Sequence, residues 1–224
     1  MNIQLSSIEA RILGCLLEKE ITTPDQYPLS LNSLAIACNQ KTARDPVLEL
    51  KDSELQEALD GLAKRFLVSD KAGYGGGRTP KYKHRFCNIQ YGALKFLPQE
   101  LAVVCVLLLR GPETPGELRQ HTQRLCEFAD VGEVERTLID LMNRDDGPFV
   151  ARLARAPGAR EHRYAHLFSG EIDSVAELQQ ERSAGPLAER VAILEALVAE
   201  LRREIDERFK PATAVDHQTS LGSS

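Results

Sequence analysis

The chain repeats one order of helix, breaker and alternating segments, and that repeat constrains its fold most. Ser6 or Ser7 can cap a helix over 8–20, with Ile8, Ile12, Cys15/Leu16 and Lys19 at helical spacing. The breakers of 22–28 (TTPDQYP) end it. A second helix over 30–39 presents Leu31, Leu34, Ala35 and Cys38 on one side. The polar connection 39–46 leads to a short extended run, 47–50, and Ser53 opens a third helix with the stripe Leu55, Ala58/Leu59 and Leu62. Residues 66–68, the glycine cluster 73–77 and the alternating Tyr82, His84 and Phe86 read as strand, loop, strand.

The same order then returns. Pro98 starts a helix through Arg110, stopped by Gly111-Pro112. Thr114 caps a helix to about Leu125, and 131–144 forms another with Val134, Leu138, Leu141 and Met142 inward. Segments 149–156 and 161–167 make a hairpin about Pro157-Gly158. Three helices and a β-hairpin, twice over, predict an α+β fold, mainly α, built as two tandem winged-helix domains over 1–90 and 91–168.

A third section follows. Gly185-Pro186 precedes a helix to about Phe209 that carries Leu187, Val191, Leu194, Val198, Leu201 and Ile205 at alternating spacings of four and three. Branched residues at one heptad position and leucines at the other favour a parallel two-stranded coil, so these six residues are the candidates for homodimerisation. The plainer alternative is an amphipathic strut folded back on its own chain. The domain reading is therefore completed by a linker and helix over 169–210 and a loose tail over 211–224, which has too few large apolar groups to fold.

No apolar run reaches the ~18 residues of a membrane span, and the first residues lack a charged-then-apolar leader, so a cytoplasmic protein is expected. Five cysteines are scattered without a Cys-x-x-Cys pair, which fits buried, reduced thiols better than metal or redox roles.

Catalytic templates fail. The glycines of 73–77 lack the Gly-Lys-Ser/Thr of a phosphate loop and the third glycine of a dinucleotide loop, and a strand follows where either needs a helix. His162 and His166 lie four apart without the adjoining glutamate of a metalloprotease helix; on a strand they would share a face, but no third ligand is evident. No nucleophile motif occurs, so the expectation is a non-enzymatic protein with no cofactor or metal.

Charge points elsewhere. The net charge of −5 conceals two basic bursts: residues 64–90 hold 7 basic and 1 acidic group, and 150–168 hold 4 and 1. Both fall on the hairpins. Lys71, Arg78, Lys81, Lys83 and Arg85 belong to the first, and Lys81, Lys83 and Arg85 alternate with Tyr82, His84 and Phe86. On a strand such cations share one face about 6.6–7 Å apart, a row able to follow a phosphate backbone. Arg152, Arg155, Arg160 and Arg163 repeat the pattern more sparsely, and Lys41 and Arg44 join the candidate contacts to double-stranded DNA. Segment 39–46 also has a structural reading, as a turn set by Asp45-Pro46.

The third helix of each set argues against insertion into a major groove. Glu54, Glu57 and Asp60 precede any lysine in the first, and Glu133, Glu135 and Asp140 mark the second. Glu54 and Glu57 read simply as stabilisers of their own helix start. They also support the competing expectation of a protein partner docked on the acidic helices, without nucleic acid.

The runs YPLSLNSL at 27–34 and ACNQKTARDP at 37–46, with EALDGL at 57–62 and the glycine-rich 73–83 ending in YKHRF, resemble the bacterial YceH-like proteins. The resemblance covers roughly the whole chain. It implies a bacterial cytoplasmic protein with tandem winged helices and brings no established activity or functional residue.

Overall fold

The computed structural model describes residues 3–72, 79–155 and 159–170. The glycine tip with Arg78, the tip of the second hairpin, the heptads from Leu187 to Ile205 and the tail lie outside the described residues.

Local capping sets the helix starts. Helix α1 (Ser7–Thr22) begins at Ser6, whose hydroxyl accepts from Glu9 N while the Glu9 carboxylate accepts from Ser6 N. Strand β1 (Leu29–Ser30) runs into α2 (Leu31–Cys38), capped by Ser30, and α3 (Asp52–Lys64) follows. Strands β2 (Val68–Ala72) and β3 (Pro80–His84) pair antiparallel, with Val68 opposite His84 and Lys71 opposite Lys81. β1 adds to the other edge of β3, giving the order β1-β3-β2. The second set comprises α4 (Pro98–Arg110), α5 (Pro115–His121), α6 (Val131–Asn143), β4 (Val150–Arg152) and β5 (Tyr164–His166). Thr114 and Glu117 form the same reciprocal cap at α5 that Ser6 and Glu9 form at α1. The described residues are thus α+β and mainly helical, with six α-helices and two small antiparallel sheets.

Three expectations change, and one strand is new. Phe66 is no strand residue: it is exposed at φ 59°, and β2 starts at Val68. Phe66 N bonds Ala63 O and Leu67 N bonds Leu62 O, the paired closure of a helix whose next residue turns left-handed. Segment 47–50 joins no sheet, and Asn39 holds it by accepting from Leu50 N and donating to Leu50 O. α5 ends at His121 rather than near Leu125. β1 was not foreseen, since two residues carry no periodicity.

All described residues belong to one compact unit, Met1–Ile172, with one continuous core. The spacing of Ile8, Ile12 and Cys15/Leu16 predicts one apolar face on α1, yet residues 10–18 are all buried. α2 and α3 pack on α1, and so does α4, whose residues 102–109 are likewise buried. A helix covered on every side loses the stripe that marks a surface helix. Gly14 is the close approach between α1 and α4: a Cβ there would sit 2.8 Å from Leu109 Cδ2 and 2.9 Å from Leu109 Cγ. Gly14→Ala gains about 1 kcal/mol of helix propensity but overpacks a fully enclosed site, which costs about 1–3 kcal/mol. The net expectation is destabilisation, read as a lower urea midpoint at unchanged slope; a raised midpoint would contradict this packing.

Phenylalanines tie the hairpin ends together. Phe86 and Phe168 meet edge to face at 5.0 Å, Phe96 and Phe149 at 5.2 Å, and Phe149 stacks on Phe168 at 5.6 Å. The Arg144 guanidinium lies 5.3 Å from both the Phe96 and Phe149 ring centres, and bonds Glu100 and Asp146.

Candidate functional site

Strand β3 sorts its side chains as the alternation predicts. Tyr82, His84 and Phe86 are buried, whereas Lys81 and Arg85 are exposed and Lys83 is half-buried on the opposite side. Inward anchors fix the strand. Tyr82 Oη donates to Gln56 of α3, His84 N donates to the Tyr27 hydroxyl, and His84 Nε2 lies 2.6 Å from Glu20 Oε2. Arg85 N donates to Leu67 O at 2.7 Å, carrying the ladder one residue beyond β3. Lys81 and Arg85 make no salt bridge among the described residues.

The second hairpin differs in kind. Arg152, Arg155 and Arg160 are exposed. Arg163 is matched: it donates to Pro112 O at 2.7 Å and to Glu117 Oε1 at 2.8 Å, bracing the hairpin on the start of α5. Arg155, Arg160, His162 and Tyr164 line a half-open cavity of about 200 Å³, with Val131 and Glu135 of α6 across it. His162 Nδ1 lies 2.9 Å from Leu153 O, so Nδ1 carries a proton and donates to that carbonyl. Burial pushes His166 down to about 4, which keeps that ring neutral near pH 7. No group of three His, Cys, Asp or Glu side chains placed to hold a metal occurs among the described residues.

Segment 39–46 divides. Lys41 is exposed, but Arg44 is only 4% exposed and leaves the candidate contact set. Its Nε donates to Ala37 O, and its terminal nitrogens bond both oxygens of Glu18 at 3.3 and 2.6 Å and reach Ala43 O. Arg11, 3% exposed, donates to Cys38 O and Pro46 O. Two arginines of opposite elements thus fasten the end of α2 to α1. Nothing local in the sequence marks these partners beyond Arg11 and Glu18 themselves, two charges on one face of an apolar run about two turns apart.

The acidic helices take the role their positions suggested. Glu54 accepts from Lys51 N at 2.8 Å and Glu133 from Ala129 N at 2.8 Å, each at its own helix start. Asp52, Glu57 and Asp60 of α3 are exposed. On α6, Val131, Glu135 and Ile139 are exposed at four-residue spacing, a mixed apolar and acidic stripe.

These elements define a mainly helical α+β protein with two sets of helices and hairpins. The chain belongs to the family described as "Protein of unknown function, DUF480", whose pattern matches residues 5–159. A UPF0502 protein of Pectobacterium atrosepticum is 57% identical over 208 residues, covering 92% of this chain and 98% of that protein. A UPF0502 protein of Serratia proteamaculans is 52% identical over 213 residues, covering 95% and 99%. No helix among the described residues is long and apolar enough to cross a membrane.

Proposed function

We propose that the chain is a tandem winged-helix protein, with units over 1–90 and 91–168, that binds the backbone of duplex DNA through its two basic hairpins and has no catalytic role. The observation carrying this reading is the outward row Lys81, Lys83 and Arg85 on a strand whose alternate residues are anchored in the core. Exposed Arg152, Arg155 and Arg160 supply a second contact, and exposed Lys41 a third. The acidic exposed side of α3 makes deep entry of that helix into a groove unfavourable, so backbone contact and weak sequence preference are expected. The heptads from Leu187 to Ile205 would pair two copies through a cytoplasmic coiled coil.

Titration of a labelled duplex at two salt concentrations tests the reading. About seven phosphate contacts give a salt slope of about −6.3, or a loss of about 6,000-fold in affinity between ~50 and ~200 mM salt. Undetectable or salt-insensitive binding defeats it.

A second reading rests on the α6 stripe. Val131 and Ile139 flank Glu135 on an exposed helical side, the pattern of a docking face for a protein partner. If this reading holds, a partner retained after nuclease treatment is lost on Ile139→Glu, while duplex titration stays blank.

A further inference from the structure

We propose that the cavity between the second hairpin and α6 is a binding site for a free α-amino acid with an apolar side chain.

The walls hold opposite charges that do not meet. Arg155 and Arg160, on either side of the hairpin tip, line the cavity together with Glu161 and with Glu135 of α6. All four are exposed, and none forms a salt bridge among the described residues. Two guanidinium and two carboxylate groups thus surround one space while staying beyond ion-pair distance of each other. Charge balance selects among ligands. A simple anion such as phosphate would gain the arginines but face both carboxylates, and a simple cation would meet the reverse. A zwitterion satisfies both walls, because a guanidinium fork takes a carboxylate with parallel hydrogen bonds and a carboxylate accepts from an ammonium.

Size and lining narrow the class. The cavity of about 200 Å³ equals about seven waters at ~30 Å³ each, room for roughly seven to ten heavy atoms and too little for a nucleotide. Pro115, Val131 and Tyr164 line the same space and offer an apolar wall to a side chain.

The site is built in advance. Tyr164 is held on both sides of its backbone: it pairs with Arg152 of β4, and it exchanges hydrogen bonds with Glu113 at 2.8 and 3.0 Å. Glu113 leads through Thr114 into Pro115, the first residue of α5, so the main chain ties this wall to the hairpin. Arg163 braces the same junction through Pro112 O and Glu117 Oε1. Val131 and Glu135 lie one turn apart on α6, whose start is fixed by Asp130 Oδ1 accepting from Glu133 N. With the walls already in place, little is lost to ordering when a ligand enters.

The full chain, without nucleic acid, is screened against each standard L-amino acid at up to ~10 mM by saturation-transfer NMR, and binders are titrated by calorimetry. Apolar amino acids of leucine size are the expected binders. For leucine, the amide lacks the carboxylate and 4-methylpentanoate lacks the ammonium. Each should bind about ten- to a hundredfold more weakly, the loss of one charge-assisted contact. Arg160→Ala should weaken leucine and leave its amide unchanged, whereas Glu135→Gln should weaken leucine and leave 4-methylpentanoate unchanged. Both residues are exposed, so the urea midpoints should stay at the wild-type value. That crossed pattern assigns each charge to its wall and cannot arise from lost folding. Binding by no amino acid, or only by those with charged side chains, overturns the proposal. Equal affinity for leucine and 4-methylpentanoate also overturns it, since a plain anion site would behave so, as does an unchanged leucine titration in both variants. Because no nucleic acid is present, the outcome is independent of the duplex reading.

Discussion

Replacing Glu18 by alanine is expected to destabilise the protein by about 3–5 kcal/mol, because it leaves a buried guanidinium without its counter-charge. Arg44 has no exposed side-chain surface and Glu18 has 10%. The variant keeps the Arg44 bonds to Ala37 O and Ala43 O, so the backbone partners survive while the charge goes unmatched. Against a typical total of about 5–15 kcal/mol, that loss removes a third or more of the stability. Urea unfolding measures it directly. The control is the double variant Glu18→Leu with Arg44→Met, which removes both charges and should recover most of the loss, since apolar replacement of a buried pair is often near neutral. If Glu18→Ala changes the midpoint by less than about 1 kcal/mol equivalent, the pair contributes little and this account of the clasp fails.

The same pair sets a pH limit. Burial alone would raise the Glu18 carboxyl, but hydrogen bonding and charge from Arg44 hold it below its ordinary value. A carboxyl lowered on folding adds stability that is complete above the unfolded value of about 4.3 and is lost as pH falls through the lower folded value. The contribution therefore disappears only in acid, below about pH 4, and Glu18→Ala should flatten that part of the stability profile.

The second large effect belongs to the hairpin. Lys81→Ala, Lys83→Ala and Arg85→Ala together are expected to lower duplex affinity by on the order of a hundredfold or more near ~0.1 M salt. The salt slope should shrink by about 2.7, close to one unit for each lost phosphate contact. Magnitude alone could reflect damage to the fold, but the slope counts ions released and separates the two. Tyr82, His84 and Phe86, which hold the strand, are untouched. An unchanged slope would mean that these cations make no phosphate contact, and the reading of this hairpin as the duplex contact fails.

What could be read in advance followed the distance over which each interaction acts. Ser6 with Glu9 and Thr114 with Glu117 cap within three residues, so their helices start where the sequence places them. The alternation of Lys81 to Phe86 is a property of one strand, and the sorting of its faces follows from it. Arg44 could not be assigned that way. Its partner lies 26 residues back, and in sequence it is one more cation in a polar stretch beside Lys41. Nor could the enclosure of α1 be foreseen, because α4, which covers its remaining side, is some 90 residues away, as the Cys105 to Gly14 contact shows. Phe66 was misplaced for a further reason: glycine is the usual residue at a left-handed helix end, and an aromatic there imitates the start of a strand.

The contact at Gly14 bears on how such a chain can be taken apart. A repeated sequence invites cutting into two modules, yet α1 and α4 each supply what the other lacks as a wall. Expressing 1–90 alone would present the α4-facing flank of α1 to water, and expressing 91–168 alone would do the same for α4. Each fragment should therefore aggregate or pair with its complement, and the two produced together should reconstitute one soluble particle. Both sets of helices and hairpins close over one continuous core, so the two halves are expected to fold only together.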